Sequence, residues 1–188
     1  MDFSNFDPQS PKLIKPKKIG DERGFFSRLY CEELFKAAGI INPIVQINSS
    51  YSQKAGTIRG LHFQMAPWSE EKIIKVINGA ILDIIIDLRP NSKTYKKSFE
   101  FNLSRENYDT LYVPKGFAHG FQTLVSNTEV IYLVTQKYSP NFEKGIRFDD
   151  PAFNLKWSLE PFDISDKDKA WPNFDPITLN LEALECYA

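Results

Sequence analysis

The sequence predicts a mainly β protein, a sandwich or jelly-roll barrel carrying a few short helices. A series of short runs between Lys12 and Phe148 is rich in β-branched and aromatic residues and punctuated by Gly, Pro, Asn and Asp. Aromatic residues make up 14% of the chain, with fifteen Phe and eight Tyr, which suits a packed β protein and argues against disorder. Only Glu32–Ala38, closed by Gly39, carries a clear helical signature. At 188 residues, a single domain spanning 1–188 with a substantial core is expected.

Along the chain the expected strands are Leu13–Ile19 and Phe25–Leu29 before the helix. Ile44–Ser50, Ile58–Gln64, Lys72–Ile77, Ala80–Leu88, Ser98–Leu103, Thr110–Val113, Phe121–Val125 and Glu129–Gln136 follow it, with a short turn at Ser104–Tyr108. Asn78-Gly79 is the strongest hairpin signal, because both residues tolerate the positive φ of a two-residue turn. A hairpin there sets Ile74 opposite Asp83 and Lys72 opposite Ile85, so that Lys72 and Asp83 become diagonal neighbours. Asp83 interrupts an apolar run and needs a partner if buried; Lys72 is the partner expected. The segment after Pro151 is expected to wrap over the barrel, with one helical turn at Ser165–Ala170.

The balance of 23 basic and 24 acidic residues leaves a net charge of −1 and no electrostatic case for nucleic acid or an anionic membrane. The greasiest run, Ala80–Ile86, is too short to span a bilayer and contains Asp83. The chain opens without a basic stretch followed by an apolar one, so a soluble cytoplasmic protein is expected. Cys31 and Cys186 form no CxxC pair, which favours a reducing compartment.

The chain has two histidines, His62 in Arg59-Gly60-Leu61-His62-Phe63-Gln64 and His119 in Pro114-Lys115-Gly116-Phe117-Ala118-His119-Gly120-Phe121. Metal-dependent cupin oxygenases commonly need two or three histidines plus a glutamate, so two histidines without an HxH pair argue against a metal site, and no cofactor is expected. Together with Lys72, Asp83 and Tyr132 they form a set suited to proton abstraction beside a carbonyl. Such a reaction needs a neutral base, a fixed cation or donor for the enolate oxygen, and a second acid on the opposite face. Alternation within Glu129–Val134 places Tyr132 on one face with Val130 and Val134.

Further motifs stand in order: Gly20-Asp21-Glu22-Arg23-Gly24-Phe25-Phe26, Gln46-Ile47-Asn48, Gly56-Thr57-Ile58-Arg59-Gly60-Leu61-His62-Phe63-Gln64, Asp83-Ile84-Ile85-Ile86-Asp87-Leu88-Arg89, Val113 to Phe121, Tyr138-Ser139-Pro140 and Ser165-Asp166-Lys167-Asp168. Together they resemble the dTDP-4-dehydrorhamnose 3,5-epimerase family, a branch of the cupin-like double-stranded β-helix (jelly-roll) proteins, from about Leu13 to Pro172. The resemblance implies a metal-free homodimeric epimerase acting on a nucleotide-linked 4-keto-6-deoxy sugar, with N-terminal strands exchanged between subunits. By similarity His62 is the general base, Asp168 its carboxylate partner and Tyr132 the acid. Lys72 stabilises the enolate, with Asp83 and His119 also in the pocket. Phosphate and sugar contacts come from Arg59, His119, Lys72 and Lys167. Nucleotide contacts come from Gln46, Asn48, Tyr138 and Glu143, with Arg23 and Phe26 reaching in from the other subunit.

Two residues depart from the family pattern. Arg28 stands where a glutamate often lies near the nucleotide, and Ile47 replaces an aspartate between Gln46 and Asn48; exchanging an anion for a cation alters which base edge can be read. The spacing raises a geometric problem as well, because Arg59 and His62 are three apart and a regular strand points them to opposite sides. A bulge or bend at Gly60 reconciles them, unless Arg59 serves a different part of the site. Arg23, Arg59 and Lys167 also have a plain reading as surface charges, and Phe25, Phe26 and Tyr138 as core; Trp68, Trp157 and Trp171 receive no assignment. The competing functions are a single-site epimerase or keto-sugar isomerase on a differently based nucleotide sugar, and a non-catalytic sugar-nucleotide-binding cupin.

Overall fold

In the computed structural model, residues 1, 3, 6–179 and 181 are described; Cys186 lies outside them. The chain runs β1 (Lys12–Ile14), β2 (Lys18–Asp21), β3 (Gly24–Ser27), α1 (Glu32–Ala37), β4 (Gln46–Ser52), β5 (Thr57–Gln64), β6 (Lys72–Asn78) and β7 (Ala80–Asp87). It continues through β8 (Ser98–Ser104), β9 (Thr110–Val113), β10 (Phe117–Thr123), β11 (Thr128–Val134), β12 (Glu143–Gly145), β13 (Asp163–Ile164) and α2 (Asp166–Lys169). The mainly β expectation holds, with two short helices among the described residues. The run Leu13–Ile19 divides at Pro16, which lacks the N–H that a continuous strand needs. Strand β10 begins at Phe117, ahead of the expected Phe121, and so carries His119 on a strand.

Two sheets face each other. One has the order β1-β9-β6-β11-β4, the other β12-β5-β10-β7-β8 with β13 added beside β5, and β2-β3 forms a separate ribbon. Their inner faces meet in a core that includes Ile74, Val76, Ile81, Ile85, Phe117, Phe121 and Val130. The near-continuous apolar run of β7 has a simple cause. Ile81 and Ile85 point into that core, while Leu82, Ile84, Ile86 and Leu88 pack outward beneath Phe142, Phe153, Leu155, Trp157 and Phe174. The opposite sheet is covered by α1 and the N-terminal segment through Phe35, Ile40, Ile73 and Tyr112.

The expected Asn78-Gly79 hairpin does not form. β6 lies between β9 and β11 in one sheet, whereas β7 lies between β10 and β8 in the other. Gly79 takes a positive φ of +81° while Asn78 does not, and the chain passes from one sheet to its neighbour. A turn-forming dipeptide lets the chain change direction; it does not specify which edge the next strand joins. Lys72 is consequently not beside Asp83: its cross-strand neighbours are Val113 and Val134.

Gly60 resolves the Arg59–His62 spacing. Along β5 and β10, His62 pairs with His119 and Arg59 with Phe121, so the register slips by one residue between them. Gly60 sits at φ +107°, and an added Cβ would lie 2.6 Å from the His119 carbonyl oxygen. We expect Gly60→Ala to lower stability by roughly 2–4 kcal/mol through this clash and the unfavourable φ. Urea denaturation checks this; a wild-type midpoint would show that the two strands do not need so close an approach.

Candidate active site

The bulge turns Arg59 and His62 toward one space. β5 and β10 supply Arg59, His62 and His119 from one sheet; β6 and β11 supply Lys72 and Tyr132 from the other. All five line a cavity of about 380 Å³, closed on one side by Lys167 and Asp168 of α2. A second space of about 340 Å³ shares His62, Lys72, Tyr132 and Lys167 with the first and adds Gln46, Asn48, Tyr138 and Glu143. Tyr132 shares its strand face with Val130 and Val134, as alternation requires.

The C-terminal segment brings Asp168 back to His62. β13 pairs in parallel with Thr57 and Ile58 of β5. The buried Gln122 amide donates to the Leu159 carbonyl at 2.8 Å and accepts from the Leu159 N–H at 2.9 Å. Ser165 then caps α2, its hydroxyl accepting from the Asp168 N–H at 3.1 Å. Asp168 Oδ1 lies 2.6 Å from His62 Nε2, and Oδ2 accepts from the Gly60 N–H at 3.3 Å. A carboxylate accepts only, so Nε2 carries the proton and Nδ1 keeps the lone pair of the neutral ring. Burial would raise the Asp168 carboxyl, but the His62 contact, backed by Gly60 and Ser165, holds it below the ordinary carboxylate range.

His119 forms a second pair, its Nε2 2.8 Å from Asp83 Oδ2. Asp83 is fully buried, and its Oδ1 has no hydrogen-bond partner among the described residues. The partner expected for Asp83 was Lys72; the structure gives it His119, because β7 pairs with β10 and not with β6. Lys72 instead places its ammonium 3.2 Å from Glu70 Oε1. Glu70 received no assignment from the sequence, although its spacing of two from Lys72 is the signal of a shared face. Gln64 was also missed; its amide donates to Glu70 Oε2 at 3.2 Å.

Gln46 and Asn48 share a face, as their spacing implies, with an amide-to-amide hydrogen bond of 2.8 Å. The Tyr138 hydroxyl donates to Glu143 at 2.8 Å, and Lys167 pairs with the same carboxylate oxygen. Burial opposes the Glu143 charge, yet Lys167 and Tyr138 hold its carboxyl below the usual range. Arg59 is braced differently, donating to the Ser52 hydroxyl at 3.1 Å and the Tyr51 carbonyl at 3.0 Å. No carboxylate pairs with it among the described residues. The β2–β3 ribbon stands apart: Arg23 pairs with Asp21 and, like Phe26 and Arg28, is exposed and lines neither cavity. Trp171, three residues beyond Asp168, packs its indole over Gly145 and its edge toward His62, at 6.3 Å between ring centres. Among the described residues no three His, Cys, Asp or Glu side chains converge as a metal site, and no helix is long and apolar enough to cross a membrane.

A family model described as dTDP-4-dehydrorhamnose 3,5-epimerase matches residues 9–176. A dTDP-4-dehydrorhamnose 3,5-epimerase of Sinorhizobium fredii is 38% identical over 183 residues, covering 97% of this chain and 94% of its own. Among solved structures, the chain is similar to the dTDP-4-dehydrorhamnose 3,5-epimerase of Bacillus anthracis with TDP and PPi bound. There the TM-score is 0.85 at 42% identity, over 93% of this chain and 97% of that one. It is also similar to the dTDP-6-deoxy-D-glucose-3,5-epimerase of Legionella pneumophila in complex with dTDP-4-keto-L-rhamnose. That match has a TM-score of 0.83 at 37% identity, over 94% and 90% of the two chains. The architecture is the cupin-like jelly roll of these neighbours.

The lowered Asp168 carboxyl makes stability depend on pH. Its contribution is complete above the ordinary carboxylate value and is lost as pH falls through the lower folded-state value. Asp168→Asn is therefore expected to cost about 1–3 kcal/mol near neutrality and to flatten the loss of stability below about pH 5. Urea midpoints measured from pH 7 to pH 2 check both; parallel curves for the two proteins would refute the linkage.

Proposed function

The chain belongs to the dTDP-4-dehydrorhamnose 3,5-epimerase family, and from that premise we infer that it epimerises a dTDP-linked 4-keto-6-deoxy sugar in deoxysugar biosynthesis through an enolate. It is an isomerase, and the observation that carries the mechanism is the 2.6 Å His62–Asp168 contact in a cavity shared with Tyr132 and Lys72.

In this reading the His62 Nδ1 lone pair takes the proton from a carbon beside the C4 ketone. The C–H electron pair moves into the ring as a C=C bond, and the carbonyl pair onto O4. Asp168 stabilises the imidazolium that forms. Lys72 lies where a cation can meet the developing enolate oxygen. The Tyr132 hydroxyl then delivers a proton to the carbon from the opposite face as the O4 pair re-forms the carbonyl; solvent restores the Tyr132 proton and takes the one held by the His62 imidazolium. His119, held by Asp83, and Lys167 contact the sugar and diphosphate. Gln46, Asn48, Tyr138 and Glu143 receive the nucleotide. Arg59 suits the diphosphate because its fork offers paired donors and no carboxylate occupies them among the described residues.

The proposal extends to a cytoplasmic homodimer built from this single domain. Support comes from the β2–β3 ribbon, where Ile19 and Phe26 are 62% and 63% exposed. An apolar ribbon so placed suits a neighbouring copy, with Arg23, Phe26 and Arg28 completing that copy's nucleotide end.

Incubation with a dTDP-4-keto-6-deoxyhexose in deuterated water is the direct test. Label at both C3 and C5 with inverted configuration is expected. Label at one carbon alone would indicate a single-site epimerase, a shifted carbonyl an isomerase, and binding without label a non-catalytic cupin. His62→Ala is expected to slow exchange by at least about 100-fold while leaving the fold intact. Tyr132→Phe is expected to separate the two half-reactions, retaining exchange while losing inversion. Circular dichroism and proton NMR check these outcomes; full activity in His62→Ala would end the assignment of the base.

A further inference from the structure

Two adjacent carboxylates, Glu70 and Glu71, lead into β6 and turn in opposite directions. Glu71 accepts from the Tyr112 hydroxyl at 3.0 Å and the Asn42 amide at 3.2 Å, on the side away from the cavity. Glu70 turns inward and lines the cavity with His62, Lys72 and Tyr132. Its Oε1 meets Lys72 Nζ at 3.2 Å, with each side chain only 11% exposed. The cross-strand neighbours of Lys72, Val113 and Val134, are buried and apolar. Among the described residues its other polar contact is the His62 carbonyl at a long 3.5 Å. The other titratable groups lining the same space are His62 from β5, Tyr132 from β11, Tyr138 from the segment after β11, Glu143 from β12 and Lys167 from α2. Glu143 is engaged by Lys167 and Tyr138, which leaves Glu70 as the anion at the Lys72 ammonium.

Glu70 is itself held. Gln64, nearly fully buried, donates to Glu70 Oε2, and its carbonyl oxygen accepts from the Ser139 N–H at 2.6 Å. A lysine carries its charge on a flexible four-carbon stem, so an ammonium without a fixed partner samples many positions. An anion fixed beside it holds it in one. The ammonium has three donors, so it can serve Glu70 and an enolate oxygen together.

We propose that Glu70 is a positioning residue for the proton transfer, holding the Lys72 ammonium aimed at the place where the enolate oxygen forms. This rests on the epimerase reading. It assigns to the Gln64–Glu70–Lys72 chain the aim of the cation that the reaction needs.

The test compares wild type with Glu70→Gln and Glu70→Asp, measuring kcat and KM, with thermal midpoints as a check on folding. Glu70→Gln keeps the shape and removes the charge, and is expected to reduce kcat about tenfold with KM nearly unchanged. Glu70→Asp keeps the charge on a shorter stem and is expected to lower kcat, again with KM nearly unchanged. A wild-type kcat, or a loss confined to KM, in a folded Glu70→Gln would overturn the proposal. So would wild-type kcat in Glu70→Asp, which decides the matter should the amide variant not fold. Wild-type protein that exchanges no substrate hydrogen would overturn the epimerase reading itself; normal wild-type exchange with unaltered variants overturns only the part given to Glu70.

Discussion

The hydrogen bond between His62 and Asp168 is the constraint to which the rest of the molecule answers. Asp168 follows His62 by more than a hundred positions and reaches it only after the chain has completed both sheets. The return path is fastened at successive points: the Gln122 amide grips Leu159, β13 pairs with β5, and Ser165 caps α2. Asp168 then also meets the Gly60 N–H, so the carboxylate clasps the bulge that aims His62 inward. None of these fastenings is strong alone, since a typical hydrogen bond contributes only about 1 kcal/mol net. Acting in series along one segment, they place a carboxylate within hydrogen-bonding distance of one imidazole nitrogen.

Charge is distributed through the cavity by the same logic. His62 faces Asp168, His119 faces Asp83, Lys72 faces Glu70 and Lys167 faces Glu143. Each carboxylate comes from a different part of the chain. A buried polar or charged group is costly without a partner, and each of these four donors has a carboxylate within reach. Arg59 is the exception among the described residues, braced by a hydroxyl and a backbone carbonyl, which leaves its charge uncompensated by the protein. In the proposed function that contrast makes Arg59 the cation suited to the diphosphate.

Much of this was legible in residue order, and the rest was hidden for identifiable reasons. β-branched runs mark β5, β6, β7, β9 and β11 because strand propensity is local. Gly60 could be suspected of making a bulge because Arg59 and His62 disagree about which face they share. Pairing was not legible at Asn78-Gly79, since the same dipeptide serves a hairpin or a crossover between sheets; the error passed directly to Lys72 and gave it Asp83 in place of Glu70. β12 was invisible because Glu143-Lys144-Gly145 has neither length nor apolar alternation, and it is recruited by the free edge of β5. The start of β10 was missed because Ala118, His119 and Gly120 are poor local markers of a strand. Trp171 carried no pattern at all; its role as a wall beside His62 depends on the missing side chain of Gly145.

A two-sheet barrel offers this chemistry something that a single sheet cannot. Epimerisation requires one group to remove a proton from one face of a sugar ring and another to return it to the opposite face. Two groups on one sheet approach a flat ligand from the same side. Here the proposed base stands on β5 of one sheet and the proposed acid on β11 of the other, and both border the same space. Stacked sheets lie roughly 10 Å apart, and side chains from both walls line the space between them. Lys72 lies beside Tyr132's strand, on β6, while His119 lies beside His62's strand, on β10, so each wall carries a proposed proton-transfer group and a second donor. The opposition of acid and base is therefore a consequence of sheet topology, and the crossover at Gly79 that frustrates a simple hairpin is one of the steps that builds it.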